Sequence, residues 1–406
     1  MKIDCIGAGP GGLYFAILAK LRDPAGRVRV FERRSYDHSP GWGIVLDQEL
    51  RGQLFQADPH SADAINRELF RWDTIQVLAR GHCISSQGHP FGAIPRQRLR
   101  AILLERALAL GVQVHHDCVV AAEQLEEADL VLACDGAGSG TRDSHREIFL
   151  PRITQGKNFY IWCGTTRQFG NFTFSIHDSP NGWIWSQAYQ FDPQQSTFIA
   201  ECDPDSLAHY ELAHRPWQEA VAFLESVYAP TLRGSPLIVA AGDDGRLDWR
   251  RFPHIECEHW HHANIVLLGD AAHTAHYSLG SGTKLALEDG ITLAQQVFSS
   301  EGSLGSRLDA YQAIRQARVR DIQRLANNSN YWFERLADFS DLSAEQFACS
   351  LLTRTRYQGE TTAPQQYDKM LQLARTSMAK ASPEQRLRHV LQPLDLHVEL
   401  LQPQPS

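Results

Sequence analysis

The start of the chain constrains the fold most: a short apolar run, Ile3 to Ile6, opens into Gly7, Gly9 and Gly12 in G-x-G-x-x-G spacing. An apolar helix-like stretch follows, Leu13 to Leu21, and then a second run, Val28 to Phe31, ending on Glu32. Gly7 allows a tight turn out of the strand, Gly9 lets the backbone approach a pyrophosphate, and Gly12 lets helix and strand pack closely. The helix N-terminus offers free N–H groups and partial positive charge to phosphates. Glu32 stands where a carboxylate accepts hydrogen bonds from a ribose 2′-OH. Pro10 and Gly11 complete the loop, and Arg33 follows the acid. These residues predict a β–α–β dinucleotide site. The plain alternative is a glycine-rich turn that binds nothing.

With 406 residues, 43% of them hydrophobic, the chain has enough material for one large or two moderate domains. Its net charge of −8 argues against a general nucleic-acid binder, which needs clustered Lys and Arg. Eight cysteines are scattered without a C-x-x-C pair. That predicts reduced thiols in a cytoplasmic protein, with neither a disulfide framework nor a metal site. No apolar run reaches the ~18 residues of a membrane span, so no membrane partner is expected.

Residues 1 to 150 read as the first part of a nucleotide-binding domain, with a helix from Arg96 to Leu110 and a buried strand from Asp129 to Cys134. From 151 to 255 aromatic and β-branched runs, such as Phe172-Thr173-Phe174 and Trp183-Ile184-Trp185, are split by turns. They predict an antiparallel β-sheet holding the substrate, with a helix from Pro216 to Tyr228. Residues 256 to 330 return to the first texture, with a buried strand at Ile265 to Leu268, and 331 to 406 read as a C-terminal helical region. The fold class is therefore α/β: a Rossmann-type domain interrupted by an antiparallel sheet domain, with C-terminal helices.

Two further motifs end buried strands. Asp135-Gly136-Ala137-Gly138-Ser139, with Arg142 beyond it, is able to meet a second part of the same nucleotide, although Asp-Gly also suits an ordinary turn. Gly269-Asp270-Ala271-Ala272-His273 places a carboxylate near a ribitol or ribose hydroxyl. The loop that follows carries Gly280, Gly282 and Thr283 ahead of a helix, where backbone N–H groups stabilise negative charge.

GAGPGGL at 7–13, DGAGSGTR at 135–142 and GDAAH at 269–273, in this order, resemble the FAD-dependent aromatic hydroxylases of the p-hydroxybenzoate hydroxylase type. The resemblance spans about residues 1 to 330. Gly41-Trp42-Gly43, the stretches 158–162 and 196–201, the run 269–289 and the segment 328–334 look like the branch with salicylyl-CoA 5-hydroxylase, anthraniloyl-CoA monooxygenase and the violacein-pathway hydroxylase. The resemblance implies tightly bound, non-covalent FAD held by Gly7, Gly9, Gly12, Glu32 and Asp270. Gly43 and Arg96 join them at the flavin side, with Arg98 the competing arginine. It also implies transient NAD(P)H, O₂ as co-substrate, and hydroxylation of an electron-rich ring through a flavin C4a-hydroperoxide. The substrate is a small aromatic, whether free, indolic, or a CoA or carrier thioester.

His276, in the loop beyond GDAAH, is the candidate catalytic residue, able to donate a hydrogen bond or accept a phenol or aniline proton. A loop histidine satisfied by backbone is the alternative. Tyr277 in the same loop and Trp42 beside two glycines are substrate or flavin-face candidates. Trp183, Trp185 and Tyr189 line the β-rich domain; at period two Trp183 and Trp185 face the same side and form either a pocket wall or core packing. Other flavoenzyme chemistry, such as halogenation or reduction, and a non-catalytic flavin-binding protein remain open. Ser186-Gln187 after Trp183-Ile184-Trp185 departs from the tryptophan-halogenase pattern.

Overall fold

The computed structural model describes residues 1–35, 41–240, 242, 244–359, 362–378 and 396–400. The chain divides into two compact units: Met1–Glu68, Ile94–Gln155 and Pro253–Asn327 form the first, and Leu69–Ala93, Gly156–Phe252 and Asn328–Ser406 the second.

The first unit is built on a sheet ordered His261–His262, Ile265–Leu267, Leu130–Ala133, Lys2–Ile6, Arg27–Phe31, Gln113–His115. Its strands run parallel except for His261–His262, which pairs antiparallel with Ile265–Leu267. Leu130–Ala133 is buried throughout, as both faces of a covered parallel sheet require. Asp4 is buried within a central strand, where Arg29 neutralises it through Nε–Oδ1 at 2.8 Å and Nη2–Oδ2 at 2.6 Å. The helix Pro10–Arg22 starts with proline at its first turn and is buried from Gly11 to Ala19. It lies close against the helix Gly282–Val297. A Cβ on Gly11 would stand 2.8 Å from the Ala286 carbonyl, and one on Gly290 would stand 3.1 Å from the Gly11 carbonyl. The expected helix at Arg96 runs to Ala109.

The second unit carries the larger sheet, ordered Leu237–Ile238, Pro151–Thr165, Ser196–Cys202, Gly182–Gln190, Phe172–Ser179, Phe70–Ala79, His82–Pro95, Leu396–Leu400. Pairing among the strands between 151 and 202 is antiparallel, as their alternating aromatic runs predicted. The sheet as a whole is mixed, because Phe70–Ala79 joins Phe172–Ser179 in parallel. Residues 69–93 thus belong with this sheet, although they lie inside the 1–150 run expected for the nucleotide domain. Arg80 and Gly81, both at positive φ, make the two-residue turn that pairs Ala79 with His82. One face of the sheet buries Phe198 and Ala200 with Leu224 and Tyr228 around the helix Trp217–Val227. The other buries Phe174, Ile176, Trp183 and Trp185 with Trp332, Phe333, Phe339 and Phe347 from the C-terminal helices.

Candidate functional site

The glycines of the first loop divide by what surrounds them. Gly7 has φ +109, its N–H donates to the Phe31 carbonyl at 2.7 Å, and a Cβ there would meet the Cys134 carbonyl at 2.5 Å. A Cβ on Gly12 would stand 2.7 Å from the Gly7 carbonyl. These two are glycine because protein already fills the space. Gly9 is the reverse: it is extended, and nothing lies within 4 Å of where its Cβ would be. It precedes a helix start with no side-chain cap, so the first-turn N–H groups face that open volume without a side-chain acceptor. Glu32 closes the cradle. Its Oε2 accepts from Ala8 N–H at 2.8 Å and its Oε1 from Arg34 N–H at 3.0 Å, which leaves lone pairs on both oxygens. Arg33 is exposed beside it.

The second motif presents a carboxylate with an orphaned atom. Asp135 Oδ2 accepts from Thr141 N–H at 3.3 Å, while its buried Oδ1 has no partner among the described residues. Gly136 sits at φ +85, and a Cβ on Gly136 or Gly138 would meet nothing within 4 Å. Arg142, 2% exposed, reaches from this motif to the Ala271 carbonyl at 3.4 Å and so ties it to the third. Sequence reasoning noted Arg142 without seeing this tie, since only the fold brings 142 and 271 together.

The third motif turns sharply after its strand, with Gly269 at φ +64. Ala271 and Ala272 are buried, and Gly269 N–H donates to Asp289 Oδ2 at 3.0 Å. Asp270 itself is exposed. Crowding by surrounding protein still holds its carboxyl above the usual range; His273 and Arg96 pull it down and Asp289 pushes it up. Arg96 is therefore the arginine that feels Asp270. Arg98 is engaged at the surface by Glu68, Nε–Oε1 2.8 Å. Arg96 N–H donates to the Trp42 carbonyl at 2.9 Å, and Gly41, at φ +109, leaves room for the Arg96 side chain. The structure thus brings Trp42 and Gly43 to Arg96. Gly280, at φ +64, packs 3.4 Å from Val45 if given a Cβ, whereas Gly282 stands open at the start of its helix beside Thr283.

His276 is 3% exposed. Its Nδ1 accepts from Ser278 N–H at 3.4 Å and pairs with Ser278 Oγ at 2.9 Å, which puts the neutral ring's proton on Nε2. Its ring lies against Tyr277, centroids 4.2 Å apart, and stacks at 6.2 Å on His254, a neighbour that sequence gave no reason to pick. In the second unit, Trp185 stacks on Phe333 at 5.6 Å and Trp183 on Phe347 at 6.5 Å, so both side chains serve core packing. Tyr189 stacks instead on Phe172 at 5.4 Å.

Open space over Gly9, Gly136 and Gly282, with Asp135 Oδ1 orphaned, is what an extended dinucleotide such as FAD would fill. Gly7 to Gly12 and Glu32 would hold its ADP half, and Asp135, Asp270 and Arg96 the rest. Asp270→Ala is expected to weaken FAD binding about 10- to 100-fold, the loss of one charge-assisted hydrogen bond. Apoprotein melting should stay put, because Asp270 is exposed. Fluorescence quenching of added FAD measures this, and unchanged affinity would remove Asp270 from the cofactor site.

Known proteins bear on the same residues. The FAD binding domain family matches residues 244–326. The chain is 37% identical over 371 residues to a salicyloyl-CoA 5-hydroxylase of a Streptomyces species, covering 89% of this chain and 71% of that one. It is 33% identical over 338 residues to the 3-hydroxy-4-methyl-anthranilyl-(aryl-carrier protein) 5-monooxygenase of Streptosporangium sibiricum, covering 83% and 90%. Among solved structures, tetrameric 2-methyl-3-hydroxypyridine-5-carboxylic acid oxygenase shares the fold, with TM-score 0.63, 21% identity and coverage of 88% and 96%.

Proposed function

The chain belongs to the FAD-dependent aromatic hydroxylases, and we propose that within this family it hydroxylates an electron-rich ring carried as a thioester, on coenzyme A or on an aryl-carrier protein. Its activity is that of an NAD(P)H-consuming flavoprotein monooxygenase. The thioester rests on one observation: the similarity to two relatives named for thioester substrates runs over more than four-fifths of the chain.

FAD, when bound, would supply the redox chemistry, hydride acceptance from NAD(P)H and activation of O₂. The chain supplies position and charge. Backbone N–H groups after Gly9 hold the pyrophosphate, and Glu32 accepts from the ribose. Asp135 Oδ1 and Asp270 accept from hydroxyls further along the cofactor. The uncapped N-terminus of the Gly282–Val297 helix favours negative charge nearby. His276, with Nδ1 occupied by Ser278, bears its proton on Nε2, and we assign it to hydrogen-bonding the substrate.

Stimulation of NAD(P)H oxidation tests the reading. Salicyloyl-CoA or anthraniloyl-CoA is expected to accelerate oxidation at least about tenfold over the free acids, a difference of 1.4 kcal/mol. The product mass should rise by one oxygen. Equal stimulation by acids and thioesters sinks the thioester. Stimulation by tryptophan derivatives alone moves the enzyme to indolic substrates.

A further inference from the structure

The second unit holds a buried charged network that the nucleotide-binding residues do not use. Trp183, Trp185, Gln187 and Tyr189 share one face of the strand Gly182–Gln190. Toward Trp185 that face is closed by Phe333. Toward Tyr189 it becomes an aromatic wall: Tyr189 stacks on Phe172 and lies 5.8 Å from Trp72, which lies 6.4 Å from Phe91. Gln187 stands at the junction, with Phe174 and Ile199 as its cross-strand partners.

Gln187 is only 1% exposed, and its Nε2 donates to Glu201 Oε1 at 2.7 Å. Its amide Oε1 accepts no hydrogen bond among the described residues. A carboxylate has nothing to donate, so turning the amide over would set oxygen against oxygen. Glu201 thereby fixes which way round the amide sits, with Oε1 turned from the carboxylate. Glu201 is itself 1% exposed and is attracted by Arg354. Arg354 is clamped between the rings of Phe174 and Phe333, at 5.0 and 5.6 Å. Its Nε donates to Ser329 Oγ at 2.8 Å and its Nη1 to the Leu351 carbonyl at 2.9 Å. Burial draws the guanidinium down to about 10 while Glu201 opposes that, so it stays charged at neutral pH. Burying two ions is costly, and apolar residues of like volume would close this face as well. What the network adds is one oriented amide oxygen on the strand face that also carries Tyr189.

We propose that Gln187 selects the substrate ring, its amide oxygen accepting the hydrogen bond of the ring's hydroxyl or amino substituent, with Glu201 and Arg354 as positioning residues. This rests on the function proposed above. The substituent that makes the ring electron-rich is then also the donor that is read. A ring without it leaves a buried acceptor unpaired, and such sites discriminate strongly.

Dissociation constants for the FAD-loaded enzyme, followed by the flavin absorbance change, test this with salicyloyl-CoA against 2-methoxybenzoyl-CoA. The wild type is expected to prefer the hydroxyl ester by about tenfold or more. Gln187→Met, of similar length but with only a weak sulfur acceptor, should bring the ratio near one with FAD content unchanged. Glu201→Gln should lower it in part, since two amides pair either way round. Equal binding of the two esters by the wild type overturns the inference without needing a variant, as does a preference that survives Gln187→Met. If free phenol binds and neither ester does, the thioester falls alone. The ratio of phenol to its methyl ether, read in the same two proteins, then decides Gln187.

Discussion

Gly9→Val is expected to leave the apoprotein folded and to strip it of FAD. Gly9 is in extended backbone, which valine adopts readily, and a side chain there would meet no protein within 4 Å. Apoprotein stability should therefore change by no more than about 0.5 kcal/mol, as for a surface substitution. The same methyl groups project in front of the helix N-terminus, where the pyrophosphate needs close backbone approach. FAD affinity should fall at least about 100-fold, equivalent to about 2.7 kcal/mol. Gly12→Ala makes the contrast. Its Cβ would be driven to 2.7 Å from the Gly7 carbonyl, so the fold itself should lose about 1–3 kcal/mol before any cofactor is added. Flavin content after reconstitution and thermal melting of the two apoproteins separate these outcomes. If Gly9→Val retains FAD, or if it melts as early as Gly12→Ala, the open volume over Gly9 is not the phosphate cradle.

That contrast marks where the sequence was legible. Gly7, Gly9 and Gly12 are read by local rules, because a turn, a close approach and a helix contact each act within one β–α unit. The order of the three motifs carried the cofactor, since each follows a buried strand of the same sheet. Residues that act across long separations were not legible. Arg80-Gly81 makes a hairpin turn without the Asn-Gly or Asp-Gly signature, so the strands on either side of it drew no notice and the parallel pairing to Phe172–Ser179 was missed. Strand periodicity puts Trp183 and Trp185 on one side, but only the C-terminal helices decide that Phe347 and Phe333 cover them. Arg96 is the family arginine and Arg98 its competitor by sequence; what separates them is Glu68, which engages Arg98, and Asp270, which is felt by Arg96.

Asp289→Ala is expected to cost about 3–5 kcal/mol of folding stability, the loss of a buried ionic hub whose partners are then left unpaired. Asp289 is fully buried, and three groups converge on it: Gly269 N–H at 3.0 Å, His273 Nε2 at 2.8 Å and Arg315 Nε at 2.7 Å. Two of those lie in the GDAAH loop, so the same carboxylate that neutralises Arg315 also fixes the turn presenting Asp270. Glu288 still accepts from Arg315 Nη2 at 3.0 Å in the variant, which softens the loss of charge but not the orphaned Gly269 N–H. Asp289→Asn keeps an acceptor of the same shape and should recover part of the deficit. Burial alone would raise the Asp289 carboxyl, yet His273 and Arg315 outweigh it and hold it below the usual range. The sign follows: the ionised form is favoured by folding, so this stability is complete above the unfolded value of about 3.9 and drains away as pH falls through the folded one. Urea midpoints of wild type and Asp289→Ala should therefore differ fully at pH 7 and pH 5 and converge only in stronger acid. A gap that stays constant into acid would mean that Asp289 acts by packing and not by charge. FAD affinity should drop with stability at pH 7, because a loosened Gly269 turn no longer holds Asp270 in place.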